Sequence, residues 1–239
     1  MTQPLDPSAS LSSPSVLDAI ERRRTAPRFD PARPLAPELI ERLLTLATLA
    51  PTPWPLQPAR FLIVRTSANR RKLRGCTFGD ARLTEAPVVV VLLGYLDPPR
   101  TDLAPLLDQR VAAGLLTPDG AKRARAEVPR TWSQYGDPTA PAGRAAMMAA
   151  STLILAAEGL GLASAWVDAF NRDEVRVAVG VPDDHAVVAL VALGYALGDP
   201  PPFPGRLPLD RVTFAEHFGR PWPGPGESDT PLASGPEAD

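Results

Sequence analysis

"APTPWPLQPARFLIV", residues 50–64, carries four prolines in eight positions: Pro51, Pro53, Pro55 and Pro58. Each fixes its own φ and pushes the preceding residue toward extended backbone. A flexible linker would be rich in glycine and serine, and a tight turn would carry glycine. This stretch has neither, so it predicts a loop held in one extended shape, presenting one amide, Gln57, to something outside it. It also divides the chain, because a helix pattern stops at Pro51 and a strand pattern begins after Pro58.

Upstream, residues 36–49 predict a helix. Leu39, Ile40, Leu43, Leu44 and Ala47 share one face, and Pro37 suits the first turn. Earlier still, Ser15 and Asp18 approximate a capping box ahead of a short apolar stripe, Val16, Leu17 and Ile20. That helix ends near "ERRRTAPRFD" (21–30). Residues 1–14 predict a disordered tail with neither the basic start nor the apolar core of a signal peptide.

Downstream, "RFLIVRT" (60–66) and "APVVVVLLGYL" (86–96) predict strands, the second apolar on both faces and so central. A short basic helix over 67–75 lies between them. Residues 97–141 lack strand signals and predict a helical excursion, with helices at 103–113 and 118–128. The apolar run "AGRAAMMAASTLILAAEGLGLASAW" predicts a long helix buried on nearly all sides, stopped by Gly159 and Gly161. "ASAWVDAF" and "AVVALVALGY" predict two further strands around a helix at 172–179. "PGRLPLDRVTFAEHFG" then leaves as an extended arm, and residues 222–239 predict a second disordered tail. The expected architecture is one α+β domain, residues 15–221, with helices around a small mixed sheet. An arm with strand propensity and no local partner predicts pairing with a second chain.

Composition narrows the chemistry. Of 239 residues, 25 are Lys or Arg and 27 are Asp or Glu, so no global field recruits nucleic acid or an anionic membrane. One cysteine, Cys76, excludes an internal disulfide and a Cys-rich zinc site. His185 and His217 lack ligand spacing, so no metal is expected. The run Ala145–Ala157 is too short and alanine-rich to span a bilayer, and the default location is the cytoplasm. There is no nucleophile elbow, phosphate loop or dinucleotide fingerprint. "GLGLAS" follows a helix and precedes a strand, the reverse of a dinucleotide loop, and reads as a helix C-cap.

Several residues admit two readings. Arg22, Arg23 and Arg24 at a helix C-terminus compensate its dipole, or with Thr25 and Arg28 they cradle a phosphate. Arg206 in "PGRLPLD" is a surface arginine or part of such a grip. Gln57 satisfies its own loop or offers a donor and an acceptor at a fixed spot. Asp168 in "WVDAF" is a catalytic acid or caps the next helix. Trp132 and Tyr135 line a pocket or pack a helical hairpin.

Five motifs in order resemble the nitroreductase-type flavoprotein family. They are "RRTAPRF" (23–29), "APTPWPLQPARF" (50–61), "GLGLASAW" with "DAF", "VGVP" (179–182), and "LGY" (193–195) with "GRLPL" (205–209). The resemblance spans residues 15 to 218. It implies a homodimer holding two FMN molecules at its interface, with each C-terminal arm adding a strand to the partner's sheet. It implies that Arg23, Arg24 and Thr25 hold the FMN phosphate and that Arg206 completes the grip. Pro51, Thr52 and Pro53 would reach the flavin of the other subunit, and Gln57 would sit in the pocket wall. Val167, Asp168 and Ala169 would lie against the flavin ring, offering backbone N–H groups near N5. Trp132 and Tyr135, in the excursion, would cover the acceptor pocket. The family's third basic residue is here Pro27, followed directly by Arg28. Its Asn is Pro55, its Trp is Ala59, and its glycine before Phe170 is Ala169. The polar pair of its long helix is here Ser151 and Thr152.

The implied activity passes hydride from NADH or NADPH through the flavin to a small oxidised acceptor such as a nitro compound or quinone. No side chain need act as acid or base, because the cofactor carries the chemistry. The alternatives are a same-fold enzyme with another flavin reaction (desaturation, dehalogenation or flavin cleavage), a non-catalytic flavin-binding protein, and a flavin-free scaffold.

Overall fold

The computed structural model describes residues 14–52, 54 and 56–222. The predicted tails therefore lie largely outside the described residues. The chain divides into two compact units, one ending at Pro201 and the other beginning at Pro202.

The first unit opens with α1 (Val16–Arg22), started by the expected capping box: the Ser15 hydroxyl accepts from the Asp18 amide at 3.1 Å, and the Asp18 carboxylate accepts from the Ser15 amide at 2.9 Å. Its stripe faces the other way from a core stripe, since Val16, Leu17 and Ile20 are exposed and Ala19 is buried. Next comes α2 (Pro37–Ala47), with Pro37 in the first turn and Ile40, Leu43 and Ala47 buried.

The sheet has four strands, β1 (Ala59–Val64), β2 (Val88–Tyr95), β3 (Ala163–Val167) and β4 (His185–Gly194), in the order β1-β2-β4-β3. Every pairing between these strands is antiparallel, so the mixed sheet expected from the sequence is corrected. A strand–helix–strand succession is compatible with either a parallel crossover or an antiparallel return. Here the helix between β3 and β4, α9 (Arg172–Val179), has only eight residues, and the chain turns back along the same edge. Among the described residues the one parallel contact is an isolated bridge, Thr25 to Ser164.

Alternation along β2 sorts its side chains between two cores. Val89, Val91 and Leu93 face Leu73 of α3 (Ser67–Gly75), Leu83 of α4 (Arg82–Glu85), Val175 of α9 and Phe29. Val88, Val90 and Leu92 face α2 and the long helix α8 (Thr139–Gly159), through Leu43, Ala150, Leu153 and Ala157. At about 25 cal/mol per Å² of apolar surface, two such layers dominate the folding free energy.

The helix α8 is not buried on nearly all sides, as its composition suggested. Within one chain it turns Arg144, Met147, Met148 and Ser151 outward, a stripe at helical spacing. By length and composition alone α8 could cross a membrane, but its inner face carries eight buried residues packed on the sheet and α2. Its C-terminus is the predicted cap: Gly161 has φ 72° and the Leu162 amide returns to the Ala157 carbonyl at 2.8 Å.

The excursion is helical: α5 (Pro98–Thr101), α6 (Leu103–Ala112) and α7 (Pro118–Ser133) enclose a third core of Leu103, Leu107, Ala121, Val128 and Trp132. It returns at Ala142, against β2. A Cβ on Gly94 would stand 2.9 Å from the Ala142 carbonyl carbon, so only glycine admits this approach.

In the second unit, a 3-10 turn at Leu209–Arg211 precedes a bridge between Phe214 and Pro221, and the Phe214 and Phe218 rings lie 4.4 Å apart.

Candidate functional site

The proline-rich loop is pinned at two points. Leu56 is fully buried in the excursion's core, and the Pro58 carbonyl accepts the Tyr95 amide at 2.7 Å. Between them Gln57 is turned outward, and its side chain has no hydrogen bond among the described residues. Trp54 sits at φ 58°, a left-handed conformation that side chains adopt at a cost, and its ring is exposed. Pro51 is exposed and Thr52 half-buried, while Pro53 lies outside the described residues. Thr52 and Gln57 open onto a slot of about 70 Å³ lined by Ala47, Ala50, Ala59 and Ala145. Ala59, which stands where the resembling family's pattern has Trp, leaves that space open.

The candidates at 23–25 and 167–169 lie at the far edge of the sheet. The Ala26 amide donates to the Ser164 carbonyl at 2.9 Å, which lays residues 23–26 beside the start of β3. The dipole reading of the arginines has a holder there. Arg24 turns Nη1 back to the Glu21 and Arg23 carbonyls, at 2.7 and 2.9 Å, closing the end of α1. The Arg23 guanidinium and the Thr25 hydroxyl have no partner among the described residues. Arg28, by contrast, is committed to Glu85 at 3.1 Å. Arg206 belongs to the second unit, where Nη1 donates to the Gly205 carbonyl and the guanidinium lies 5.2 Å from the Phe203 ring centroid.

Asp168 and Ala169 follow directly on β3, four and five residues beyond Ser164, about 13 Å or more of extended chain. Both are exposed, and Val167 beneath them is buried. Strand alternation directs the Asp168 amide away from β4, and neither the Asp168 nor the Ala169 amide has an acceptor among the described residues. The predicted helix-cap role of Asp168 is corrected: Asn171 caps α9, accepting from the Asp173 and Glu174 amides, and Asp168 pairs with Arg172 at 3.1 Å. Open amides at one end of an edge strand, with a cation and a hydroxyl at the other, form a donor set that fits an elongated ligand with an acceptor-rich ring and an anionic tail. The residues present therefore fit FMN.

The turn 76–82 near this edge escaped the sequence reading. The Asn171 amide bonds the Cys76 carbonyl at 2.9 Å, tying the turn 76–80 to the segment after Ala169. On that turn Phe78 is 90% exposed at φ 52°. An exposed aromatic in a left-handed turn, beside Gly79, is the signal that "CTFGD" offered. Close by, Arg82 forks onto Asp80 at 2.6 to 3.2 Å and holds the Asp80 carboxyl below the usual range. Burial, reinforced by Glu174, pushes the Cys76 thiol up, so Cys76 is a packing residue rather than a nucleophile. On the basic helix α3, Arg70 donates to the Thr84 carbonyl and Arg74 to the Gly79 carbonyl.

In the excursion, Trp132 is buried and its indole N–H donates to the Leu96 carbonyl at 3.0 Å, which makes it a packing residue. Tyr135 remains at the surface, edge-on to Trp132 and facing Arg144.

A sequence profile described as "Nitroreductase family" matches residues 20–195. A curated relative named NADH dehydrogenase, from Thermus thermophilus, is 34% identical over 197 residues, covering 81% of this chain and 92% of its own length. Protein DrgA from Synechocystis is 30% identical, covering 82% and 93%. Among solved structures, an Exiguobacterium sibiricum protein assigned to the nitroreductases and captured in complex with FMN superposes with TM-score 0.78 at 19% identity, over 87% of this chain and all of its own. The enone reductase CLA-ER superposes with TM-score 0.76 at 16% identity, over 87% of this chain and 100% of its own. These structural likenesses establish the fold.

Proposed function

The chain belongs to the nitroreductase family, and from that membership we propose that it is an FMN-dependent oxidoreductase acting as a homodimer. It takes reducing equivalents from NADH or NADPH and delivers them to a small oxidised acceptor of the nitro or quinone class, in the cytoplasm. The observation that carries the reading is the donor set along β3: open amides at Asp168 and Ala169, and an uncommitted guanidinium and hydroxyl at Arg23 and Thr25. Bound FMN supplies two-electron transfer through its N5.

The chain's own residues hold and orient. The amides of Asp168 and Ala169 would hold the ring edge of a bound flavin, where preorganised dipoles favour negative charge. Arg23 and Thr25 would meet the phosphate, and the family resemblance adds Arg206 as a further cation for it. Arg24 shapes the helix end from which they project.

The split of the site supports the proposed dimer. Thr25, Asp168 and Ala169 lie at the β3 edge, whereas Thr52 and Gln57 lie beyond β1, at the opposite edge. Four strands at about 4.8 Å spacing separate these edges by about 14 Å, so one chain leaves each half open. A second copy supplies the missing wall. Three further features support it: the exposed stripe of Met147 and Met148 on α8, the neighbouring Val16, Leu17 and Ile20 of α1, and the outer edge of β1. Beside that edge a groove of about 510 Å³, lined by Ile40, Leu44 and Ile63, would receive the partner's C-terminal arm as a fifth strand.

An anaerobic spectrum of the purified protein, before and after NADH or NADPH, tests the reading. A flavin band that bleaches on adding the nicotinamide is expected. Protein that stays colourless after added FMN would overturn it.

A further inference from the structure

Asp102 stands at the N-cap of α6, where an aspartate ordinarily accepts from the amides of its own helix. Here it makes no such bond. Its carboxylate is turned instead to β1, where Arg60 Nη2 meets Oδ2 at 2.6 Å. Both side chains are half-buried, so this pair is somewhat better shielded than a fully exposed one. The same guanidinium sends Nη1 to the Gln57 carbonyl at 2.6 Å and to the Ala59 carbonyl at 3.2 Å, and lies 5.0 Å from the Tyr95 ring centroid. Arg60 also forms part of the alanine-lined slot beside Thr52 and Gln57.

One planar fork thus joins the proline-rich loop, the first strand and the first turn of the excursion. A lysine cannot copy it, because a point charge does not meet two carbonyls and a carboxylate in fixed directions. We infer that Arg60 is a positioning residue for the acceptor, holding the Gln57 wall and helices α5 and α6 in one fixed relation, with Asp102 as its anchor. The inference rests on the flavin reading given above. It assigns the excursion a specificity role exercised through a clamp on β1 rather than through Trp132.

The test compares the wild-type holoenzyme with Asp102→Ala, Asp102→Glu, Arg60→Lys and Arg60→Met. Hydrogen exchange of residues 98–112 reports the clamp without any need for flavin. Asp102→Ala should raise exchange there roughly tenfold, as the loss of one hydrogen bond to a charged group allows. It should also raise the acceptor KM roughly five- to tenfold, leaving flavin content and the rate of flavin reduction by NADH or NADPH unchanged. Arg60→Met and Arg60→Lys should loosen residues 98–112 as well, and Asp102→Glu should restore most of the protection. Unchanged exchange in both Asp102→Ala and Arg60→Met would overturn the inference. So would acceptor KM and flavin reduction failing together in step with loss of folded protein. If the wild type takes up no flavin, the functional reading fails, while the exchange result still decides the clamp.

Discussion

The β3 edge leaves amides, a guanidinium and a hydroxyl open, whereas the β1 edge presents prolines, alanines and a clamp whose hydrogen bonds are already made. The first can grip a polar ligand but has no wall. The second is a wall with little to grip. Each edge is incomplete in the way the other is complete, which is why the site reads as one shared between two copies. Stiffness is also placed differently. The donors at β3 ride on a hydrogen-bonded strand, while the loop before β1 gets its rigidity from fixed φ angles and from the buried Leu56.

The largest break in this comparison should come from keeping the two edges apart. Met148→Arg places a second cation on the outward stripe of α8, one turn from Arg144. It should weaken a dimer by about 3–5 kcal/mol, seen as monomer in analytical ultracentrifugation with parallel loss of bound flavin. If the variant stays dimeric and yellow, α8 is not the seam. Next in size, Leu56→Ala should cost about 2–5 kcal/mol in denaturant unfolding by opening a cavity under the loop. It tests whether the β1 wall depends on that anchor. Arg23→Ala or Arg206→Ala should weaken FMN retention by about 1.5–3 kcal/mol, measured by titrating apoprotein. No change in either would remove the phosphate assignment from the β3 side.

The smallest effect concerns pH. The hydrogen bond from Arg82 holds the Asp80 carboxyl below its ordinary range, so the folded form binds its proton less readily than the unfolded one. The stabilisation is present above the ordinary aspartate range and is lost as pH falls through and below it. Asp80→Asn should therefore flatten the acid limb of the stability curve by no more than about 1 kcal/mol. An unaltered limb would show that this pair does not support the turn carrying Phe78.

What the sequence made legible was what local rules govern. The stop at Pro51, the capping box at Ser15, the buried β2 and the eight-residue α9 all follow from side-chain period and backbone restriction. The antiparallel direction of β3 was not legible, because it depends on where the chain turns after α9, and short helices connect strands either way. The outward face of α8 was hidden for a related reason, since alanine and methionine suit a core and an interface equally. Phe78 was missed because one exposed ring in a turn has no period. The diversion of Asp102 from its own helix to Arg60 depends on a contact across 42 positions of sequence, which no local pattern records.

The missing side chain at Gly94 has a consequence for what this fold can become. Because Ala142 comes back against the end of β2, the detour that begins after Tyr95 finishes where it set out. Its two mouths are neighbours, so the chain between them forms a cassette: trading it for a shorter or longer piece need not shift the sheet, and the entropy of closing the circuit changes only slowly with length. Relatives could exchange that cassette wholesale and keep the same scaffold, provided the residue at the crossing stays small enough to let the two mouths touch.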